Sequence, residues 1–204
     1  MVVFLFLLLE HKMRVLTFES PDKKQQIIEE ISYDDLLLKL KEDHGWHEVI
    51  NGFNQNTQVR VYFDLDSHIL TSNSRIHLVP DTKDSTLRQV LEEISMIFKC
   101  SSDDWAISDG CREDRISYHI MSKLYRISIK ELRRITYNLH AKFPSIDYSV
   151  VCISMNSIND LLFFRLPNQH KGAVNKPAPP MKIIQGELKD FIVTWTEGLK
   201  ECIV

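Results

Sequence analysis

No CxxC spacing links the four cysteines Cys100, Cys111, Cys152 and Cys202. That argues against a structural zinc site and leaves isolated reduced thiols, which suit a reducing compartment. An excess of positive charge is also lacking. The 25 Lys and Arg are outnumbered by 28 Asp and Glu, giving a net charge of −3. No global field therefore draws the chain to nucleic acid, and any such contact needs a local patch. The apolar start, Val2 to Leu9, is too short to span a bilayer, and no membrane partner is expected. It has no positive n-region and no A-x-A-like cleavage site, and Lys12 and Arg14 follow it instead of preceding it. A buried strand or an artefact of start-codon choice explains it better than a signal peptide. No internal repeat is visible. What is present is ordinary for a folded chain of 204 residues: 44% hydrophobic and 26% charged, enough to bury a real core.

The pattern along the chain predicts its elements. Residues 22–42 read as a helix, with Ile27, Ile28, Ile31, Leu36, Leu37 and Leu40 at mostly helical spacing. A loop with Gly45 and Gly52 leads to a strand at 58–66, and a second extended stretch follows at 75–79. Asp84 or Ser85 can cap a helix whose stripe is Leu87, Val90, Leu91, Ile94, Ile97 and Phe98. Trp105 to Ser108 reads as a strand ending at the Asp109-Gly110 turn. From Arg115 to Met121 the sequence alternates, which puts Ile116, Tyr118 and Ile120 on one face and Ser117 with His119 on the other. Ser128 and Glu131 make a capping box for a helix to about residue 142. Strands follow at 146–154 and 161–166, where Pro167 stops the ladder. Pro177, Pro179 and Pro180 mark a linker, and the tail from Met181 is expected to hold a short strand and a helix.

From residue 58 to 154 the order is strand, helix, strand, strand, helix, strand. One antiparallel sheet with helices on one face satisfies it. The expected fold class is thus α+β: an antiparallel RRM-like (βαββαβ) palm sheet, open on its other face, plus an N-terminal α/β segment. The expected division is 1–57 for that segment, 58–195 for the core and 196–204 for the tail.

The chemistry concentrates on the open face. The strand Val59 to Asp66 ends in two carboxylates, Asp64 and Asp66, which share a face while Val61, Phe63 and Leu65 take the other. Adjacent carboxylates repel unless a cation lies between them, and Mg2+ often takes only one or two. Asp147 can supply a third. Two metals held this way activate an attacking oxygen and stabilise a leaving one at phosphorus. Ser117 and His119 can hydrogen-bond phosphate oxygens. Arg165 and Lys171 can bind a triphosphate, arginine as a planar fork and lysine as a point charge.

Three motifs in this order resemble the archaeo-eukaryotic primase superfamily, and most closely the primase domain of the primase–helicases of large nucleocytoplasmic DNA viruses. They are Asp64-Leu65-Asp66, Ser117-Tyr118-His119 and Ile146-Asp147. Phe164 to Lys171 looks like the family's downstream basic segment, and Ile184 to Thr194 like the segment that often closes the domain. The resemblance spans residues 58 to 195. It implies a primase or primase-polymerase in which Asp64, Asp66 and Asp147 ligate Mg2+ or Mn2+ and His119 contacts the incoming nucleotide. It also implies a single-stranded DNA template, nucleoside triphosphates, a replicative helicase as partner, and an intracellular location at sites of DNA replication. Many viral relatives have serine where this chain has His170, which leaves the assignment of Lys171 open. The chain ends soon after the closing segment, so a stand-alone domain, a piece of a longer protein and a decayed copy all stay open.

Other readings compete. Asp64 and Asp66 can be a solvated strand end, His119 a structural histidine, Asp147 a turn residue and Arg165 the partner of a carboxylate. A haloacid-dehalogenase-type phosphatase also begins with an apolar strand ending in DxD, its first aspartate a nucleophile. That family usually has a small residue and then Thr or Val after the motif, where this chain has Ser67 and His68. It also needs a late Gly-Asp metal motif, and Asp109-Gly110 has the reverse order. A non-catalytic nucleic-acid-binding remnant of a primase is the third reading. Residues 112–134 carry seven Lys/Arg against three Asp/Glu. The run reads either as a solvated helix face or as a patch for template phosphates.

Overall fold

The computed structural model describes residues 12–18, 26–41, 45–51, 55–68, 82–112, 115–146, 161–169 and 180–202. The fold is mixed α+β with antiparallel sheets. The elements in order are β1 (Lys12–Phe18), β2 (Gln26–Ser32), α1 (Tyr33–Lys39), β3 (His47–Asn51) and β4 (Gln58–His68). Then come α2 (Thr82–Phe98), β5 (Trp105–Asp109), β6 (Arg115–Ser128), α3 (Ile129–Lys142), β7 (Leu161–Arg165), β8 (Lys182–Gln185) and β9 (Lys200–Glu201). No described helix is long and apolar enough to cross a membrane.

The larger sheet runs β4-β6-β5-β8, with β9 added parallel to β6. Its first three strands in chain order, β4, β5 and β6, lie with the third between the other two. On the outer side of β4 the chain returns at Ile146, which bridges antiparallel to Leu65. The rest of the strand expected at 146–154, and the stretch at 75–79, lie outside the described residues.

The helices cover one face, as the alternation predicts. Phe63 meets Phe98 and Trp105 at ring-centroid distances of 6.2 and 6.1 Å, and Phe98 meets Trp105 edge-on at 5.6 Å. Val90 and Ile94 of α2 and Leu132, Ile135 and Leu139 of α3 are buried against Val61, Phe63, Leu65, Ile116 and Ile120. The predicted α2 stripe is thus the packed one. Ser128 caps α3 by accepting the Glu131 N–H at 3.3 Å. The reciprocal arm of the expected capping box is replaced: the Glu131 carboxylate takes Arg134 at 2.9 Å.

Residues 26–32 correct the predicted long helix. They form β2, paired along its whole length with β1, and Ser32 then caps only the short α1. Ile27, Ile28 and Ile31 are β-branched and stiff at χ1, which favours a pleated strand once a partner strand is present. The second sheet runs β2-β1-β3-β7 and owns a small core of Val15, Ile31, Leu36, Leu40, Trp46, Leu166 and Ile192. β7 therefore pairs with β3, from Arg165 opposite His47 to Leu161 opposite Asn51.

The tail corrects a second expectation. The strand is there as β8, but a 3-10 turn at Leu188–Phe191 stands where a helix was predicted. Gly186 makes the turn into it at φ +97°, and a Cβ there would lie 2.6 Å from Ala106 Cβ. Gly186→Ala is expected to cost about 1–3 kcal/mol, from the left-handed backbone and the clash together. A denaturant melt checks this, with an unchanged midpoint counting against it.

Candidate functional site

The β4–β6 register brings the motifs together. Asp64 lies opposite His119 and Asp66 opposite Ser117. Directly opposed residues of an antiparallel pair share a face, so all four side chains project to the side away from the helices. The DxD and SxH residues are thus neighbours across one ladder. Ser108 of β5 lies opposite His119 and extends the same face.

This face is not open, contrary to the sequence-based expectation. Phe164 packs edge-on against Tyr62 at 5.1 Å, and its ring lies 4.1 Å from that of His119 at an interplanar angle of 35°. Arg165 and Met181 complete the cover. A Cβ at Gly110 would sit 3.1 Å from Met181 Cγ and 3.2 Å from Arg165 Nη2, so glycine there lets both side chains approach the sheet. The physical reason is the pairing of β7 with β3, which lays Phe164 across the polar side of the larger sheet. His119 and Ser117 are consequently buried, and the Asp64 and Asp66 side chains are only 14% and 17% exposed.

Charge balance on this face is close. His119 Nε2 is 3.9 Å from Asp64 Oδ1. Arg165 is buried, and among the described residues its Nη1 has no hydrogen-bond partner. Burial lowers the Arg165 pKa and Asp64 opposes that shift most strongly. Arg115 was not among the residues singled out for the site, yet it clamps Asp66. Its Nε donates to Oδ1 at 2.5 Å and its Nη2 bonds Oδ2. The signal for it was in the alternation: Arg115, Ser117 and His119 are two apart and share a face. Beneath them, Cys111 Sγ accepts the Ser117 N–H at 3.2 Å, and burial pushes the Cys111 thiol up to about 11.

Asp147 and Lys171, and with them His170, lie outside the described residues. The chain is held up to Asp147's neighbour: Ile146 pairs with Leu65, the residue between the two aspartates, and the Asp66 N–H donates to Ser145 O at 2.8 Å. His140 Nδ1 donates to Ile146 O at 2.6 Å. Among the described residues no group of three or more His, Cys, Asp or Glu is placed to hold a metal. The donor chemistry nonetheless fits a hard divalent cation, since Asp64 and Asp66 offer carboxylate oxygens from one face and such an ion often takes only one or two.

The basic run at 112–134 does not form one patch. Arg112 and Arg115 stand at the site end of β6, and Lys130, Arg133 and Arg134 follow its far end. β6 separates them, and its partner β4 spans the same stretch in 11 residues, on the order of 30 Å. Lys123 Nζ is bonded to Asp103 O, and Arg134 to Glu131.

A buried carboxyl, that of Glu48, anchors the backbone at Val193 and Thr194. The Glu48 carboxylate accepts the N–H groups of Val193 and Thr194 at 2.6 and 2.8 Å, and the Thr194 hydroxyl at 2.5 Å. Burial raises the Glu48 pKa above its ordinary 4.5, against the pull of those hydrogen bonds and of Arg60. A carboxyl with a raised folded pKa binds its proton more tightly folded than unfolded. Stability from this group therefore falls as pH rises from 4.5 through the folded value. Glu48→Gln removes the titration, so the wild type should lose stability relative to this variant as pH rises across that window. Urea melts of both from pH 4 to about pH 8 check it, and a pH-independent difference would count against it.

A search against protein-family models and a search of curated proteins find no match for this chain.

Proposed function

We propose that the chain is a metal-dependent nucleotidyltransferase, the catalytic domain of a DNA primase or primase-polymerase. The observation that carries the reading is the register of β4 and β6, Asp64 opposite His119 and Asp66 opposite Ser117. Two acidic and two phosphate-binding residue types meet on one face, in the order in which they resemble the primase motifs.

In this reading Asp64 and Asp66, with Asp147, hold Mg2+ or Mn2+. Bound there, such an ion would supply charge neutralisation for the attack of a 3′-hydroxyl on an α-phosphate, with pyrophosphate leaving. The protein's own groups position the substrate. His119, fixed between Phe164 and Asp64, presents a ring nitrogen to a phosphate oxygen, and Ser117 presents a hydroxyl. Arg165 contributes a positive charge in a water-poor setting, where it acts more strongly on an anion than at the surface. Lys171 is proposed as a second cation for the triphosphate. A single-stranded DNA template and a helicase partner belong to the same proposal.

The test is incorporation of labelled nucleotides on single-stranded DNA with Mg2+ or Mn2+. The wild type should extend or initiate chains, and chelation of the metal should stop it. Activity that survives Asp64→Ala would refute the metal-site assignment. Phosphate release from a monoester without incorporation would favour a phosphatase. DNA binding without incorporation would favour a non-catalytic remnant.

A further inference from the structure

We propose that Arg115 is a latch on the metal site: it occupies the carboxylate of Asp66 and must release it before a divalent cation can use both oxygens. The inference rests on the reading of Asp64 and Asp66 as metal ligands and concerns how that site is regulated.

The geometry is specific. Arg115 bonds each oxygen of Asp66 with a different nitrogen, Nε to Oδ1 and Nη2 to Oδ2. This two-pronged fork is the strongest arrangement a guanidinium offers a carboxylate. Both side chains are less than one-fifth exposed, so solvent and salt screen the pair weakly. Arg115 begins β6, two residues before Ser117, and its backbone is tied to Arg112 by bonds in both directions. The guanidinium is thus delivered from an anchored strand end and needs only side-chain rotation to leave. A cation and Arg115 compete for the same two oxygens, so the pair's free energy is subtracted from metal affinity at Asp66.

The experiment measures Mn2+ binding to the full chain by the electron-paramagnetic-resonance signal of free Mn2+, in the absence of nucleotide. Arg115→Gln should bind Mn2+ about 10–100-fold more tightly than the wild type, the fold-change of a charge-assisted hydrogen-bonded pair removed from competition. Arg115→Lys keeps the charge and loses the fork, and should fall between the two. Arg115→Gln/Asp64→Ala should lose the binding. Equal or weaker affinity in Arg115→Gln, with Asp64-dependent binding intact in the wild type, overturns the latch and leaves the metal site standing. Absence of Asp64-dependent Mn2+ binding from every protein overturns both. Thermal melts accompany the titrations. If Arg115→Gln does not fold, Arg115→Lys decides: several-fold tighter binding supports the latch, and wild-type affinity overturns it.

Discussion

Asp64→Ala is expected to reduce nucleotide incorporation by on the order of 10²–10³-fold or more while leaving the fold standing. Asp64 projects from the middle of the polar face of β4, opposite His119, and its neighbours Phe63 and Leu65 carry the packing on the other face. Removing the carboxylate takes one like charge away from Asp66, which is favourable. It also removes the group that most strongly supports the buried Arg165 charge, which is unfavourable. These effects oppose each other, so the change in stability should stay below about 2 kcal/mol. The sharper signature is linkage. Mn2+ should raise the melting midpoint of the wild type, because it binds the folded site, and should not raise that of Asp64→Ala. Circular-dichroism melts with and without Mn2+, beside the incorporation assay, test both halves. A variant that keeps its activity, or one that unfolds outright, contradicts the role given to Asp64.

That site was legible where the physics is local. Alternation alone places Asp64 with Asp66, and Ser117 with His119, because a strand turns every second side chain to the same face. Alternation does not give register, yet the two pairs come out directly opposed. Arg115 was within reach of the same rule, since it is two residues from Ser117. The cover was not legible: Phe164 and Arg165 arrive through the pairing of β7 with β3, a contact between positions over a hundred residues apart. Nothing in the local pattern of either strand names its partner.

The fold shows the same division. The α2 stripe and the Ser128 cap are short-range features, and both form. Residues 26–32 failed because a run with Ile27, Ile28 and Ile31 fits either period poorly, and the β1 partner decided the outcome. The tail failed for a related reason. Its backbone is fixed by groups elsewhere in the chain, Glu48 and Arg60, more than by its own helix propensity.

Arg60→Ala is expected to be the most damaging single change for stability, at about 3–5 kcal/mol. Arg60 is only 3% exposed, and its guanidinium donates to four carbonyls: Ser122 at 2.7 Å, Trp195 at 3.2 Å, Ile192 at 3.3 Å and Lys189 at 3.5 Å. Asp190 lies 3.8 Å from its Nη1, and its own backbone N–H holds Val193 O at 2.8 Å. The β4–β6 pairing shifts register between Arg60 and Tyr62, which is where the Ser122 carbonyl meets it. The side chain thus joins the larger sheet to the closing segment. Alanine would strand the carbonyls of buried Ser122 and Ile192 and remove positive charge from beside the buried Glu48 and Asp190. Whole-domain stability is about 5–15 kcal/mol, so the loss is a large fraction of it, equivalent to roughly 10 °C or more in midpoint for a chain of this size. Arg60→Lys keeps the charge near Glu48 and Asp190 and cannot reach all four carbonyls, so it should fall between alanine and the wild type. Chemical denaturation of the three proteins orders them. A lysine variant as unstable as alanine would assign the effect to the fork, and an alanine variant as stable as the wild type would remove Arg60 from the account of how the closing segment is held.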